Sequence, residues 1–324
     1  MQPILSVIIP AHNAESEIDQ CLKALFSSDF SDFECIVINN ASTDNTSLTA
    51  NKHPVKLIEL PKNMGPGYAR NKGVEAAKSE LLLFIDADVT VKRDTLTKVA
   101  KKFEKDPHID AFFGSYDAEP AAPGFISQYK NLFHHFIHQT SSTRAKTFWA
   151  GCGAIKREVF LKAGMFDERY ISMEDVELGM RLTKAGHRIE LIKDIQVKHL
   201  KKWTFLNLVK TDIFQRGIPW TMLMIKYKSI AKDLNLKRNS KISMLLVLLF
   251  MAAIPFILTD IRFIYLALFF LLVFLLMNMD FYRFFAKKKG GLFTLLVFPM
   301  HILYFIYSGL SVLLGTALYP FSKK

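Results

Sequence analysis

Two aspartates one residue apart, Asp86-Ala87-Asp88, close the apolar run in LLLFIDADV. Carboxylates that close at a strand end repel each other unless a cation or a hydrogen-bonding loop compensates them. Hard divalent ions such as Mg2+ or Mn2+ take oxygen ligands and join one or two carboxylates to substrate phosphates, so the pattern suits a metal-bound diphosphate. A solvated turn is the plain reading of the same three residues taken alone. Two further polar segments follow apolar runs: PAHNAES, where Pro10 stops a strand and Glu15 opens a helix, and INNASTDNT, where Asn39 and Asn40 end a strand. In the latter, Ser42 or Thr43 suits an N-cap and Asp44 the first helical turn, a structural task.

For these segments to meet, something must bring them to one edge. The chain alternates short apolar runs at 5–9, 34–38, 55–60 and 81–85 with helical stretches at 14–27, 43–51, 66–78 and 93–105. That alternation predicts βαβ units and a parallel sheet covered on both faces. Ligands of open α/β sheets bind beyond the carboxyl ends of the strands, which is where Pro10 to Glu15, Asn39 to Asp44 and Asp86 to Asp88 fall. From 106 to 200 the alternation loosens, with apolar runs at 109–113 and 147–156, an amphipathic stretch at 124–139 and carboxylates at 174–177. This half is expected to shape an acceptor site.

Those three segments, with KNMGPGYARNKG (62–73), GCGAI and ISMEDVELGMRL, resemble the family 2 glycosyltransferases over about residues 4–200. The resemblance implies a GT-A fold, a UDP- or GDP-sugar donor, a divalent cation (Mg2+ or Mn2+) and transfer with inversion at the anomeric carbon. By the family pattern Pro10, Ala11 and Glu15 line the nucleoside, Asn40 beside Asn39 faces the base, and Arg70 lies near the nucleotide. Asp88 would ligate the metal on the diphosphate, while Asp86, next to Ala87, would contact ribose or metal. Asp175, beside Glu174, matches the carboxylate that acts as base, and a carboxylate so placed takes the proton of an attacking sugar hydroxyl. Gly151, Cys152 and Gly153 resemble a small-residue acceptor loop, and a plain tight turn is the alternative. His199 stands where some relatives supply a further metal ligand, with an interfacial histidine as the alternative. The family often has an aspartate at the first position of Asn39-Asn40, and an amide both donates and accepts where a carboxylate only accepts, leaving uracil or guanine open. His134 and His138, at i and i+4, share a helical face and read as acceptor-side or surface residues. QRGIPW (215–220) loosely resembles a polysaccharide-synthase motif but has Ile218 in place of its arginine, which does not support processive synthesis.

The 324 residues are 50% apolar with a mean hydropathy of +0.17, high for a wholly soluble chain. Residues 242–279 hold two charged side chains, Asp260 and Arg262, and residues 292–321 none. The net charge of +12 is also uneven: residues 1–197 carry 24 Lys+Arg against 26 Asp+Glu, and residues 198–324 carry 18 against 4. Positive charge beside apolar segments is drawn to anionic lipid headgroups, and with no nucleic-acid module present no nucleic-acid partner is expected. Residues 203–236 mix Trp203, Phe205, Phe214 and Trp220 with lysines, as helices in the headgroup plane do.

Segments 242–258, 263–279 and 292–318 read as membrane spans, with Pro299, Gly309 and Gly315 allowing the last to kink or re-enter. Basic residues Lys237, Arg238, Lys241, Arg283 and Lys287 to Lys289 place the globular part in the cytoplasm, although three crossings would leave Lys323 and Lys324 outside. Ile4 to Ala11 lacks the flanks of a signal peptide and reads as a strand. Three scattered cysteines suit a reduced compartment rather than a disulfide framework. The expected organisation is an α/β GT-A domain at 1–200, amphipathic interfacial helices at 201–240, and a membrane region at 241–324 with two to three transmembrane helices. The expected activity is a hexosyltransferase building cell-envelope glycan on a lipid-linked or glycan acceptor. A polyprenyl-phosphate sugar synthase, needing no base, and a silent nucleotide-sugar-binding module are the alternatives. Transport is disfavoured, since His301 is the one ionisable residue at mid-span.

Overall fold

Leu5–Ala11 (β1) is buried along almost its whole length, as expected of a strand with neighbours on both sides and helices on both faces. The computed structural model describes residues 2–228 and 238–322; Lys237, Lys323, Lys324 and part of the 201–240 stretch lie outside them. After β1 come α1 (Glu15–Phe26), β2 (Phe33–Asn39), α2 (Thr46–Ala50), β3 (Lys56–Glu59), α3 (Pro66–Ala76) and β4 (Leu81–Ile85). The four strands pair in parallel in the order β3-β2-β1-β4, with Ala11 opposite Asn39. Helix α2 begins later than its sequence suggests, because Asp44 rather than Ser42 or Thr43 receives the Thr46 amide. The same carboxylate accepts the Glu15 amide at 3.1 Å, so Asp44 ties the starts of α1 and α2 together.

The remaining elements of this unit are β5 (Val89–Val91), α4 (Thr95–Lys105), β6 (Ala111–Tyr116), α5 (Phe125–Thr140), β7 (Arg144–Ala145), β8 (Cys152–Lys156), α6 (Arg157–Lys162), α7 (Glu174–Lys184) and β9 (Ile189–His199). They extend the sheet as β4-β8-β6-β9-β5, with β7 on β9. β8 runs antiparallel between β4 and β6, so the sheet is mixed rather than wholly parallel. The strand-helix alternation that forces right-handed parallel crossovers ends at α4, and no such constraint acts on β8. Cys21, Cys35 and Cys152 are buried and unpaired, and burial raises their thiols above the ordinary value, which leaves them inert core residues.

Two helices press close against their neighbours through glycine. A Cβ on Gly73 in α3 would lie 2.5 Å from Ile8 Cγ2, and one on Gly179 in α7 would lie 2.2 Å from the Phe148 amide nitrogen. At Gly179 the obstacle is backbone, which cannot rotate away. Gly179→Ala should therefore lower stability by about 1–3 kcal/mol, read as a fall in Tm. An unchanged Tm would show that α7 does not rest on residues 147–148.

Chain contacts divide the protein into two units, Met1–Pro123 with Asn131–Lys202, and Gly124–Lys130 with Trp203–Lys324. The second holds α8 (Phe205–Lys210), a π-helical stretch Thr211–Gly217, α9 (Ile218–Tyr227), α10 (Arg238–Ala253), α11 (Phe263–Met277), α12 (Met279–Lys289) and α13 (Gly291–Leu318). Within it Lys130 pairs with Asp212 at 2.6 Å, and the Tyr307 hydroxyl donates to the same carboxylate at 2.6 Å. Among the described residues two helical stretches, Arg238–Leu258 and Gly291–Ser322, are long and apolar enough to cross a membrane. Phe263–Met277 joins them only if counted with Met279–Lys289, from which it is bent by 64°. Its 15 residues reach about 22 Å against a hydrocarbon core of about 30 Å. Pro299 lies inside an unbroken α13, and the glycines expected to kink it serve packing: a Cβ on Gly315 would meet Thr221 Cβ at 2.7 Å.

Candidate active site

Arg70, buried on the face of α3 that packs on the sheet, reaches two elements far apart in sequence. One guanidinium nitrogen donates to Asp86 at the end of β4 (2.7 Å), and another to Glu174 at the start of α7 (2.5 Å). Phe166 stacks beneath the guanidinium at 5.5 Å. Asp86 is about one-third exposed (32%) whereas Glu174 is enclosed (7%), so Arg70 is the cation that makes Glu174 tolerable there. Burial raises the Glu174 carboxyl and neighbouring Asp175 adds to this, with Arg70 opposing both.

Asp88 has a different partner. The chain turns after β4 into β5, which pairs antiparallel with the end of β9, Val89 opposite His199. The Leu200 amide donates to the Asp88 carbonyl at 2.8 Å, and His199 Nε2 lies 3.3 Å from Asp88 Oδ2. Burial acts to raise the Asp88 carboxyl, but the charge and hydrogen bond of His199 and the charge of Lys201 outweigh it and hold it below the ordinary aspartate value. The repulsion expected between Asp86 and Asp88 is thus relieved by two separate groups, Arg70 and His199.

Asp175 is the second residue of α7, after Met173 and Glu174. Met173 has φ of +65°, a left-handed conformation costly for a side chain of its size, and it turns the chain so that both carboxylates face inward. Asp175 accepts the amides of Ala150 at 3.1 Å and Val176 at 2.7 Å. The Ala150 contact follows from Gly179, which lets α7 lie on residues 147–148. Burial raises the Asp175 carboxyl above the ordinary 3.8, more than Arg70 and the two amides lower it. A carboxyl raised by burial is a better proton acceptor than an ordinary aspartate, and it follows directly on the Glu174 that Arg70 ties to Asp86.

Residues 6–164 match the sequence model of Glycosyl transferase family 2. They form a family 2 glycosyltransferase domain. An uncharacterized glycosyltransferase of Haemophilus influenzae is 28% identical over 181 residues, 55% of this chain and 62% of that protein, so the chain spans less than two thirds of that relative. Among solved structures, TarS 1-349 of Staphylococcus aureus in complex with UDP-GlcNAc superposes with a TM-score of 0.53 at 22% identity, covering 70% of this chain and 65% of that one. A mannosyltransferase from Pyrobaculum calidifontis in complex with GDP-Man and Mn2+ superposes with a TM-score of 0.52 at 19% identity, covering 100% and 89%. At these identities the likeness establishes the GT-A fold of the domain.

Within this glycosyltransferase domain the residues expected on the donor side follow the strand ends at one edge, but several of their side chains bond to the loops themselves. Glu15 accepts the Asn45 amide and side chain at 3.1 and 2.9 Å. Asn39 is buried and donates to Glu59 at 2.6 Å, and Asn40 donates to Asn63 at 2.9 Å and to the Gly65 carbonyl at 3.2 Å. Both Asn40 amide hydrogens are therefore taken by the 63–65 loop rather than turned to a base. Ala11 and Ala87 are buried, and Pro10 is half-buried at the same strand-end edge. Cys152 pairs with Ile85 in the sheet with its side chain in the core, which corrects its reading as an acceptor contact. Gly151 and Gly153 are small because Trp149 and Phe148 occupy the space: a Cβ on Gly151 would lie 2.4 Å from the Trp149 ring.

His134 and His138 are half-buried, both rings stack on Tyr116, and burial lowers His138 to about 3. His199 stacks there as well and is buried, which corrects its interfacial reading. Asn13 and Ala41, at φ of +50° and +54°, bend the loops after β1 and β2. These, with Met173, Trp149 and Asn131, are site-forming residues that sequence reasoning missed. An asparagine after a strand was the one available signal, because asparagine tolerates that conformation.

Among the described residues no group of three or more His, Cys, Asp and Glu side chains is arranged to hold a metal. The expected trio of Asp86, Asp88 and His199 is not assembled, because Arg70 holds Asp86. Asp88 and His199 remain a facing oxygen-nitrogen pair. Such a pair fits a divalent ion whose other ligands come from a diphosphate and water.

Proposed function

We propose that the protein is an inverting, divalent-metal-dependent glycosyltransferase that moves one sugar from a UDP- or GDP-sugar to a hydroxyl of a lipid-linked acceptor at the cytoplasmic membrane face. The observation that carries this reading is Arg70, which ties the Asp86-Ala87-Asp88 end of β4 to Glu174, the residue before Asp175. One buried side chain thus joins the diphosphate corner and the base. The UDP-GlcNAc in the TarS complex and the GDP-Man and Mn2+ in the P. calidifontis complex support the donor class and the cation.

In this reading the loops of Pro10 to Glu15 and Asn39 to Asp44 enclose the nucleoside, and Asp88 with His199 holds the cation. When bound, that cation offsets charge on the departing diphosphate. Asp175 accepts the proton of the attacking hydroxyl, while Arg70 and Glu174 hold its helix in place. Residues 1–200 are the catalytic domain, the described part of 201–240 lies in the headgroup plane, and the apolar helices after it anchor the chain. Exposed Phe205, Leu206 and Phe214 beside Lys202 and Lys210 support the interfacial placement, and the two apolar helical stretches support the anchor.

Release of nucleoside diphosphate from UDP-, GDP- and TDP-sugars by detergent-purified protein with membrane lipid extract tests it. One donor should be consumed in the presence of Mg2+ or Mn2+, with Asp88→Ala reducing the rate to background and the product anomer inverted by NMR. Metal-independent turnover, or an Asp88→Ala variant at full rate, would remove Asp88 and the cation from the mechanism.

A further inference from the structure

The two nitrogens of His199 face different oxygens. Nδ1 lies 2.8 Å from Asn131 Oδ1 on α5, and Nε2 lies 3.3 Å from Asp88 Oδ2. His199 is 5% exposed and Asn131 2%, so neither exchanges its partner for bulk water. The ring plane is held as well, by Tyr116 stacked at 4.6 Å and 23°. Asn131 sits on a helix segment whose position is set by further bonds: His135 Nδ1 lies 2.7 Å from the Tyr116 carbonyl, and Gln139 donates to Ser115 Oγ and to the Lys193 carbonyl, both at 3.1 Å.

A neutral imidazole has one N–H and one lone pair, and the bond made by one nitrogen decides which the other presents. An amide oxygen only accepts, so Nδ1 carries the hydrogen toward Asn131. Nε2 then faces the Asp88 carboxylate, to which it donates as an imidazolium when no cation is present. A divalent cation would take the place of that proton, with the Nε2 lone pair and the carboxylate as two of its ligands.

We propose that Asn131 is a positioning residue of the metal site: its amide oxygen holds His199 in the Nδ1–H tautomer, so that Nε2 and Asp88 together receive a divalent cation. The inference rests on the metal reading of the proposed function and adds to it a residue from outside the motifs. A hydrogen-bond acceptor behind a metal-binding histidine fixes the ring and raises its basicity, and losing one weakens metal binding by about 10–100-fold.

The test is Mn2+ binding by the full-length protein with UDP or GDP, followed by the electron paramagnetic resonance of free Mn2+ and by spin-echo modulation from a directly bound imidazole nitrogen. Wild type should bind Mn2+ with nitrogen modulation. Asn131→Leu should weaken binding by about 10–100-fold, and Asn131→Asp, which keeps an acceptor, should stay close to wild type. A similar Tm for the two variants separates this from misfolding, and so does the recovery in Asn131→Asp. Equal Mn2+ affinity in Asn131→Leu and wild type would overturn the inference, as would wild-type binding without nitrogen modulation. Absence of Mn2+ binding by wild type with either nucleotide would instead fell the metal reading itself, and the inference with it.

Discussion

Asp175→Asn should lower kcat by about 10²–10⁴-fold while leaving the donor KM near wild type. Asparagine keeps the size of the side chain and one of the two oxygens that accept the Ala150 and Val176 amides, so one of these two contacts at the start of α7 is retained. What it loses is the ability to take a proton. The effect belongs in kcat because the hydroxyl needs a proton acceptor only as it attacks. The pH profile gives a second signature: Asp175 acts only when ionised, and burial raises its carboxyl above 3.8. The acid limb of kcat/KM should therefore fall at a higher pH than an ordinary aspartate gives. A near-normal rate in Asp175→Asn would mean an acceptor that is already anionic, as a phosphate is, and would remove the hydroxyl acceptor.

Arg70→Met should be the most destabilising single change in the domain, by about 3–5 kcal/mol, and should abolish transfer. Of its two partners, Asp86 reaches water and Glu174 does not, so the cost comes from a carboxylate left buried and unpaired. The sign of the pH effect follows from the raised Glu174 carboxyl. At low pH it is neutral and needs no arginine; as pH rises through its folded value it ionises and the missing partner is felt. The stability gap between wild type and Arg70→Met should thus narrow as pH is lowered toward the ordinary glutamate value of 4.5. Adding Glu174→Leu to Arg70→Met should recover most of the stability, since apolar residues of similar volume replace a buried pair well, but none of the activity. Thermal unfolding of the three variants at two pH values checks this, and no recovery in the double variant would place the cost at Asp86 instead. Arg70→Lys should not substitute, because an ammonium is a single point of charge and cannot span both carboxylates.

The alternation of apolar runs and helical stretches before residue 105 was sufficient for β1 to β4 and α1, α3 and α4, because each segment's own periodicity reports its burial. Helix α2 was misjudged at its start, since Asp44 works between loops rather than within one. The mixed order of the second half was not legible: β8 lies between β4 and β6 by pairing with partners about 70 and 40 residues away, and nothing local encodes direction. The two unbroken apolar stretches were legible from composition, whereas the bend after Met277 was not.

The same division runs through the site. By itself the sequence determined which groups carry charge and which strand ends they follow: Asp86, Asp88, Glu174 and Asp175, with the amides after β1 and β2. Only the tertiary structure decided how they divide the work. Arg70 takes Asp86 and Glu174, His199 takes Asp88, and Asn131 takes the far side of His199. Those assignments depend on distances of a few ångströms between residues up to 111 positions apart. Electrostatic and hydrogen-bond energies fall steeply over that range, so only folding brings them into play.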